Sequence, residues 1–362
     1  MSSNKSIAVW CEPLAGHSGI ELEVHFNYWR VASPDRRRWP TSGTSDFVEI
    51  GFMIEDVRSV KNLRFFVAMP LQSDAIRDCS PRFKSRHILQ GIFNQRLNAT
   101  GTPAGGPLVL QGTSGVFCRM HQFSLVAGSE RIDSSEIKIE DACGGVVITI
   151  GPAALRACEV SGPSRAYYRL RLAMPRDTQG NPFIEVVPVY APFLLSVYEQ
   201  TEYLDFRLNE ARTLPDDIEN RMASEQPPGA AAITLVAFLA AVPVSAEVSV
   251  ASAVFHKMRL LEHGIWSDYA PGIPPGMVVY HWKRDEPAPP GIQDFAAFVK
   301  LQMRRTGWKV MARYLAFLLG FALIGNLAAG LIQPHLGKVA TILGVALFVV
   351  GTLFARGADW PC

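Results

Sequence analysis

The chain lacks most of the signatures that announce a reaction. Its six cysteines, Cys11, Cys79, Cys118, Cys143, Cys158 and Cys362, form no CxxC pair and no Cys/His cluster, so no zinc spacing is present. There is no P-loop, no HExxH, no GxSxG elbow and no dinucleotide fingerprint. "ATGTPAGG" (99–106) is glycine-rich, but it is not followed by the Lys-Ser/Thr and helix that a phosphate loop needs, and it reads as a plain loop. The net charge is only +2, which leaves no global field to draw in nucleic acid or an acidic substrate. No repeat of solenoid period is visible. The opening "MSSNKSIAVWCEPLAG" has no charged-then-apolar leader. With the unclustered cysteines, this predicts a reducing, cytosolic location for the polar part. No metal, cofactor or duplex DNA binding is expected.

What the chain does have is an apolar end. Tyr314 to Ile332 runs without a charge and is long enough to cross a hydrocarbon core of ~30 Å. A second run, Val339 to Phe354, crosses if Lys338 and Arg356 snorkel to the interfaces. Between them, "QPHLGK" reads as a tight turn, with Pro334 ending the first helix. The expectation is a transmembrane hairpin over 314–356, preceded by a basic juxtamembrane helix over 291–313 and followed by a tail over 357–362. The basic residues Lys300, Arg304, Arg305, Lys309 and Arg313 precede the first span, whereas the turn carries only Lys338. That excess predicts an inner-membrane, multi-pass protein with both the N-terminal region and the C-terminus cytoplasmic. Gly320 and Gly325 in the first span, and Gly337, Gly344 and Gly351 at seven-residue spacing in the second, suit close helix packing. That packing is either within one hairpin or between subunits. Asn326 lies mid-span, where an unpaired amide is costly, so it should face a helix or water.

The region before the hairpin reads as mainly β. "ELEVHFNYW" (21–29), "DFVEIGFMIEDV" (46–57), "NLRFFVAMP" (62–70), "EIKIE" (136–140), "GVVITI" (145–150) and "YYRLRLAMP" (167–175) carry β-branched and aromatic residues at a period near two. "FIEVVPVYAPFLLSVYE" (183–199) and "EYLDFRLNEARTLP" (202–215) follow, the latter with Tyr203, Phe206 and Leu208 placed near one face. Helices are expected at 73–97, broken near Pro81, and at 215–223, where acids fill the first turn. The organisation predicted is a mainly β, sandwich-like region over 1–222, then a linker at 223–232 and a further β segment at 233–290. The match of "LRFFVAMP" (63–70) with "YRLRLAMP" (168–175) has two readings. One is a duplicated pair of β units, about 1–112 and 113–222; the other is a common strand end before a proline terminator. The apolar stretch 233–255 could pass for a span, but Pro243, Ser245, Glu247 and Ser249 interrupt it, and alternation from Val242 favours buried strands.

Two basic stretches are candidate ligand sites. "SPDRRRWPTSG" sets Arg36, Arg37 and Arg38 beside Trp39, and "RFKSRH" supplies Arg82, Lys84, Arg86 and His87. Arginine forks bind phosphates and tryptophan stacks on bases, so an anionic, nucleotide-type or oligonucleotide ligand is the expectation if one binds. Solvated surface charge is the alternative. The histidines, among them His25, His121, His256, His263 and His281, are isolated in sequence and read as structural.

The layout of a cytosolic, largely β region joined through a basic segment to a two-span hairpin resembles the two-transmembrane effectors of bacterial anti-phage systems. The resemblance covers the layout of the whole chain and carries over no functional residue. It implies a membrane effector whose cytosolic region senses a nucleotide signal or partner protein and controls an oligomeric pore. Two helices cannot enclose a water path, so a homo-oligomer in the lipid bilayer would be required. The other readings are a membrane-tethered adaptor with a passive anchor and, third, an enzyme.

Overall fold

The computed structural model describes residues 6–31, 45–101, 106–161, 164–175, 181–187, 199–251, 255–304 and 308–332. Contacts divide the chain into two units, the break falling between Arg305 and Thr306. The first unit is mostly strand.

Eight strands lie in its first half: β1 (Ala8–Pro13), β2 (Ile20–Trp29), β3 (Phe47–Ile54), β4 (Val60–Val67), β5 (Ile76–Asp78), β6 (Asn98–Thr100), β7 (Leu108–Gly112) and β8 (Gly115–Met120). Then follow β9 (Ile137–Ala142), β10 (Gly145–Ile150), β11 (Ala166–Ala173), β12 (Ile184–Val187), β13 (Glu199–Leu208), β14 (Ala231–Pro243), β15 (Ala246–Ala251), β16 (Lys257–Leu260), β17 (Met277–Asp285) and β18 (Phe295–Arg304). The helices are α1 (Arg86–Phe93), α2 (Pro152–Arg156), α3 (Asp216–Glu225), α4 (His263–Tyr269) and α5 (Trp308–Ile332).

The strands form three sheets. One runs β1-β4-β10-β9, a second runs β12-β13-β18-β15, and the large central one runs β16-β17-β14-β2-β3-β11-β8-β7-β6, with β5 also on β11. Period-two alternation sets which residues each face buries. On β3, Val48, Ile50, Phe52 and Ile54 join the main core, while Glu49, Gly51 and Met53 point to the other face. That main core takes side chains from all three sheets. Phe206 of β13 lies against Phe26 of β2 (4.7 Å) and Phe238 of β14 (4.3 Å), and Phe52 of β3 against Phe65 of β4 (5.2 Å). A second core covers the opposite face of the central sheet with α1, α4 and the turn that precedes α1. A third sets α3 (Leu214 just ahead of it, Ile218 within it) on Trp10, Phe66 and Val147.

The strands expected over 21–29, 46–57, 62–70, 136–140, 145–150 and 167–175 are present; of the stretch 183–199, β12 covers Ile184–Val187, and residues 188–198 lie outside the described residues. α3 begins where the acidic first turn placed it, with Asp216, Asp217 and Glu219 at its positive end. The β9–β10 hairpin turns on Cys143 and Gly144, both at positive φ, as a two-residue turn of the twist-compatible kind requires. The apolar stretch after residue 230 is strand rather than span. β14 lies between β2, parallel, and β17, antiparallel, with both neighbours hydrogen-bonded along its length. A strand enclosed in this way is apolar at nearly every position, which is why it imitates a membrane segment.

Four expectations are corrected. The basic helix expected over 291–313 is a strand through Arg304: β18 pairs with β13 over ten residues and with β15 on its other side. Its alternation is clear, with Phe295, Ala297, Val299 and Leu301 all buried. The helix-forming Ala, Lys, Gln, Met and Arg between them were overridden by the sheet. The helix expected over 73–97 is a 3₁₀ turn at Ser73–Ala75, strand β5, a second 3₁₀ turn at Ser80–Lys84, and α1, stopped by Asn94 in the left-handed conformation. The expected linker at 223–232 is the last turn of α3 and the start of β14 within one unit, where Gln226 accepts a hydrogen bond from the Cys11 backbone N–H at 2.8 Å. On β13 the buried set is Leu204, Phe206 and Leu208, while Tyr203 stacks on Phe298 at 5.3 Å from the opposite face. The two Ala-Met-Pro strands, β4 and β11, occupy different sheets with different partners.

Candidate functional site: a buried arginine cluster and an exposed apolar helix

The face of the central sheet beneath α1 and α4 carries charge where a covered face should be apolar. Arg169 and Arg171 are two apart on β11, so both point to this side, and Glu49 meets them from the adjacent β3. Glu49 and Arg169 are fully buried, and the Arg171 side chain is 13% exposed. Arg169 donates to Glu49 (Nη2–Oε2, 2.8 Å), to the Tyr167 hydroxyl (2.8 Å) and to the Tyr269 hydroxyl (3.1 Å). Arg171 donates to the other Glu49 oxygen through Nε (2.9 Å) and Nη2 (2.6 Å), and Tyr269 donates its hydroxyl to Glu49 at 2.8 Å. Gly51 is required here, because a Cβ at that position would lie 2.1 Å from the Tyr167 hydroxyl oxygen. Burial by itself would raise the Glu49 carboxyl, but Arg171 and Arg169 outweigh it and hold the group below the usual carboxylate range. Burial pulls against the charge on both guanidiniums, but Tyr167, Tyr269 and Glu49 outweigh it at Arg169, and Glu49 leads the groups that outweigh it at Arg171, so both are raised.

A second buried network joins sheets. Arg30, just past β2, donates to both oxygens of Glu202 on β13 (3.0 Å each) and to Asp46 (2.8 Å), which also accepts from the Tyr28 hydroxyl at 2.9 Å. In a third group, His121 Nε2 and the Ser124 hydroxyl both meet Glu136, at 3.0 and 2.9 Å. The serine therefore bonds to the acid and not to the imidazole, which is not the order that activates a nucleophile. Among the described residues no cluster of three or more His, Cys, Asp or Glu could hold a metal ion. A cleft of about 350 Å³ between α3, β1, β14 and the 290–294 loop is lined by Glu219 and Asp294 with no basic side chain, so it does not suit an anion.

Of the sequence-nominated ligand residues, Arg36, Arg37, Arg38 and Trp39 lie outside the described residues. Arg82 is half-buried and donates to the Tyr269 carbonyl, at the edge of the Glu49 cluster. Lys84 and Arg86 are exposed nearby in sequence, on the 3₁₀ turn and at the start of α1. Arg169, Arg171 and Glu49 were missed. The available signal was "YRLRL", two arginines on one face of an otherwise apolar strand.

The second unit is described as one helix. α5 contains a segment, Met311–Ala329, long and apolar enough to cross a membrane, and none of it is buried. Leu318 (61%), Phe321 (68%), Ile324 (69%) and Leu327 (67%) are open on its surface. Asn326 and Arg313 are exposed too, and a Cβ at Gly320 or Gly325 would touch nothing. Lys309 lies in the first turn of α5, Lys300 and Arg304 lie on β18, and Arg305, Gly337, Gly344 and Gly351 fall outside the described residues. No protein-family model and no curated protein matches this sequence.

One histidine near the edge of the central sheet makes a pH prediction. His281 on β17 is opposite Lys257 of β16 and two residues from Lys283. Burial, then His256 and these cations, pushes its imidazole down to about 4. A depressed value means stability that is fully present above the unfolded pKa of ~6.5 and is lost as pH falls through 4. His281→Gln should flatten the decline between those limits by about 1–2 kcal/mol after discounting for partial exposure. Thermal midpoints measured against pH check this; parallel curves for variant and wild type would remove His281 from the account.

Proposed function

We propose that this protein is a membrane-anchored effector in which α5 crosses a bilayer, the segment beyond it returns as a second span, and the sandwich-like β region works at the cytoplasmic face of the inner membrane. The observation that carries the reading is the exposure of α5. Burying one large aliphatic or aromatic side chain is worth about 1.5–3 kcal/mol, and a helix bare on every side needs an apolar solvent. Lys300, Arg304, Arg305 and Lys309 precede the span closely in sequence, Arg313 lies in its first turn, and this basic excess favours a cytoplasmic β region. Asn326 supports assembly: an amide in hydrocarbon without a partner is costly, and neighbouring copies packed on the open Gly320 and Gly325 faces would satisfy it. A ring of such hairpins forms a pore, gated by an anionic signal of nucleotide type or by a partner protein, as in bacterial anti-phage defence.

A second reading, a passive anchor carrying an adaptor, is favoured by the edge of the central sheet. Among the described residues β16 pairs on one side only, with β17, and exposes Met258 (57%) and Leu260 (63%) on one face. Such an edge accepts a partner's strand.

Ion flux from proteoliposomes separates the two. The wild type should conduct, and Asn326→Leu should insert at least as well yet lose flux. Wild-type flux in the variant, or none from any wild-type preparation with or without nucleotide, would favour the adaptor.

A further inference from the structure

The Glu49 cluster holds more positive charge than its own acid can neutralise. Among the described residues, Arg169 and Arg171 share the one carboxylate of Glu49, with Arg82 at the cluster's edge. The other acidic protons nearby stay in place, because burial pushes the Cys79 thiol and the Tyr167 hydroxyl up to about 12 and raises the Tyr269 hydroxyl as well. The surplus is concentrated at one end. Arg171 Nη2 (3.0 Å) and Arg82 Nη1 both donate to the Tyr269 carbonyl, so two guanidiniums share one acceptor at the end of α4. Arg77 of β5 is the cross-strand partner of Arg171, which adds a third cation to the same face. Its ion-pair partner Glu130 is 78% exposed, and a pair that open to water contributes little.

Like charges directly opposite on neighbouring strands repel, and a carbonyl at a helix end carries only a fraction of a charge. Arg171 Nη1, and Nε and Nη2 of Arg82, donate to no other described residue. The rim is also aromatic, with the Arg171 guanidinium lying 4.2 Å from the Phe47 ring centroid.

We propose that Arg82, Arg171 and Arg77 form a binding site for a phosphoryl group. Two forked donors converging at the Tyr269 carbonyl, with Arg77 on the same face of the adjacent strand, match an oxyanion with several acceptor oxygens, in the bidentate manner that arginine favours over lysine. The group comes either from a soluble nucleotide-type phosphate or from a phospholipid headgroup. The site deepens the sensing part of the function proposed above and does not depend on the hairpin conducting.

The test uses the full chain in detergent micelles and in phosphatidylcholine vesicles with and without phosphatidic acid. Inorganic pyrophosphate should raise the thermal midpoint of the β-rich unit beyond chloride at matched ionic strength. Arg82→Gln should weaken that binding at least tenfold. Arg77→Gln, at an exposed position, should weaken it several-fold with the fold intact by circular dichroism. Stabilisation by pyrophosphate in micelles identifies a soluble source. A response confined to phosphatidic acid vesicles and lost in both variants identifies a headgroup. No response to either probe, or equal binding by wild type and both variants, overturns the site. Membrane retention after alkaline carbonate is read in parallel, so a failed site is distinguishable from a failed anchor.

Discussion

Glu49→Gln is expected to destabilise the β-rich unit by about 3–5 kcal/mol, the cost of leaving a buried cation without its partner. Among the described residues, Glu49 is the sole carboxylate paired with Arg169, and both side chains are completely buried. Glutamine keeps the shape but loses the charge and offers one acceptor oxygen in place of two. Arg169 Nη2, Arg171 and the Tyr269 hydroxyl would then compete for it. The added amide donors would face guanidinium. Urea unfolding followed by tryptophan fluorescence reads the change, since Trp29 lies 6.4 Å from the Tyr269 ring and 5.8 Å from Trp266 in the same covered face. A loss below ~1 kcal/mol, the scale of one ordinary hydrogen bond, would show that water reaches the arginines and that the cluster is not closed.

Leu319→Arg should release α5 from the membrane. Leu319 is 63% exposed and lies next to the centre of Met311–Ala329. An arginine at the centre of a span costs about 2.5–3.5 kcal/mol in insertion, roughly a hundredfold in partition at ~1.4 kcal/mol per factor of ten. Met311→Arg, at the end of the same segment, should cost far less because the side chain can reach the headgroups. Alkaline carbonate extraction should leave wild type and Met311→Arg in the membrane and shift Leu319→Arg to the soluble or aggregated fraction. Wild-type retention of Leu319→Arg, or complete release of the wild type, would argue against a spanning helix.

The two halves of the candidate site differ in how they could be read. The apolar helix is a local property: a run of uncharged residues from Tyr314 onward needs no partner to be recognised. Arg82 was also legible as a member of a short basic stretch. Its placement beside Tyr269 was not, because the contact joins residues 187 apart in sequence. Glu49 and the two arginines on β11 were hidden by the same alternation that identified their strands. A charged residue at every second position reads as a solvent-facing row, and only the covering helices α1 and α4 turn that row into a buried network.

By itself the sequence determined the β character of the first unit, the acidic start of α3 and the apolar end of the chain, because each follows from periodicity or composition within a single segment. Tertiary structure decided the rest. It made a strand of Phe295–Arg304, since pairing on both edges outweighed residues that favour helix by only tenths of a kcal/mol each. It set β14 between a parallel and an antiparallel neighbour, so that an apolar run of ambiguous meaning became the middle of a sheet. It also brought Arg82 and Arg171 to the Tyr269 carbonyl and set Arg77 opposite Arg171 in register, where strand pairing and a helix end, neither of them written in any one stretch of sequence, fix which charges meet.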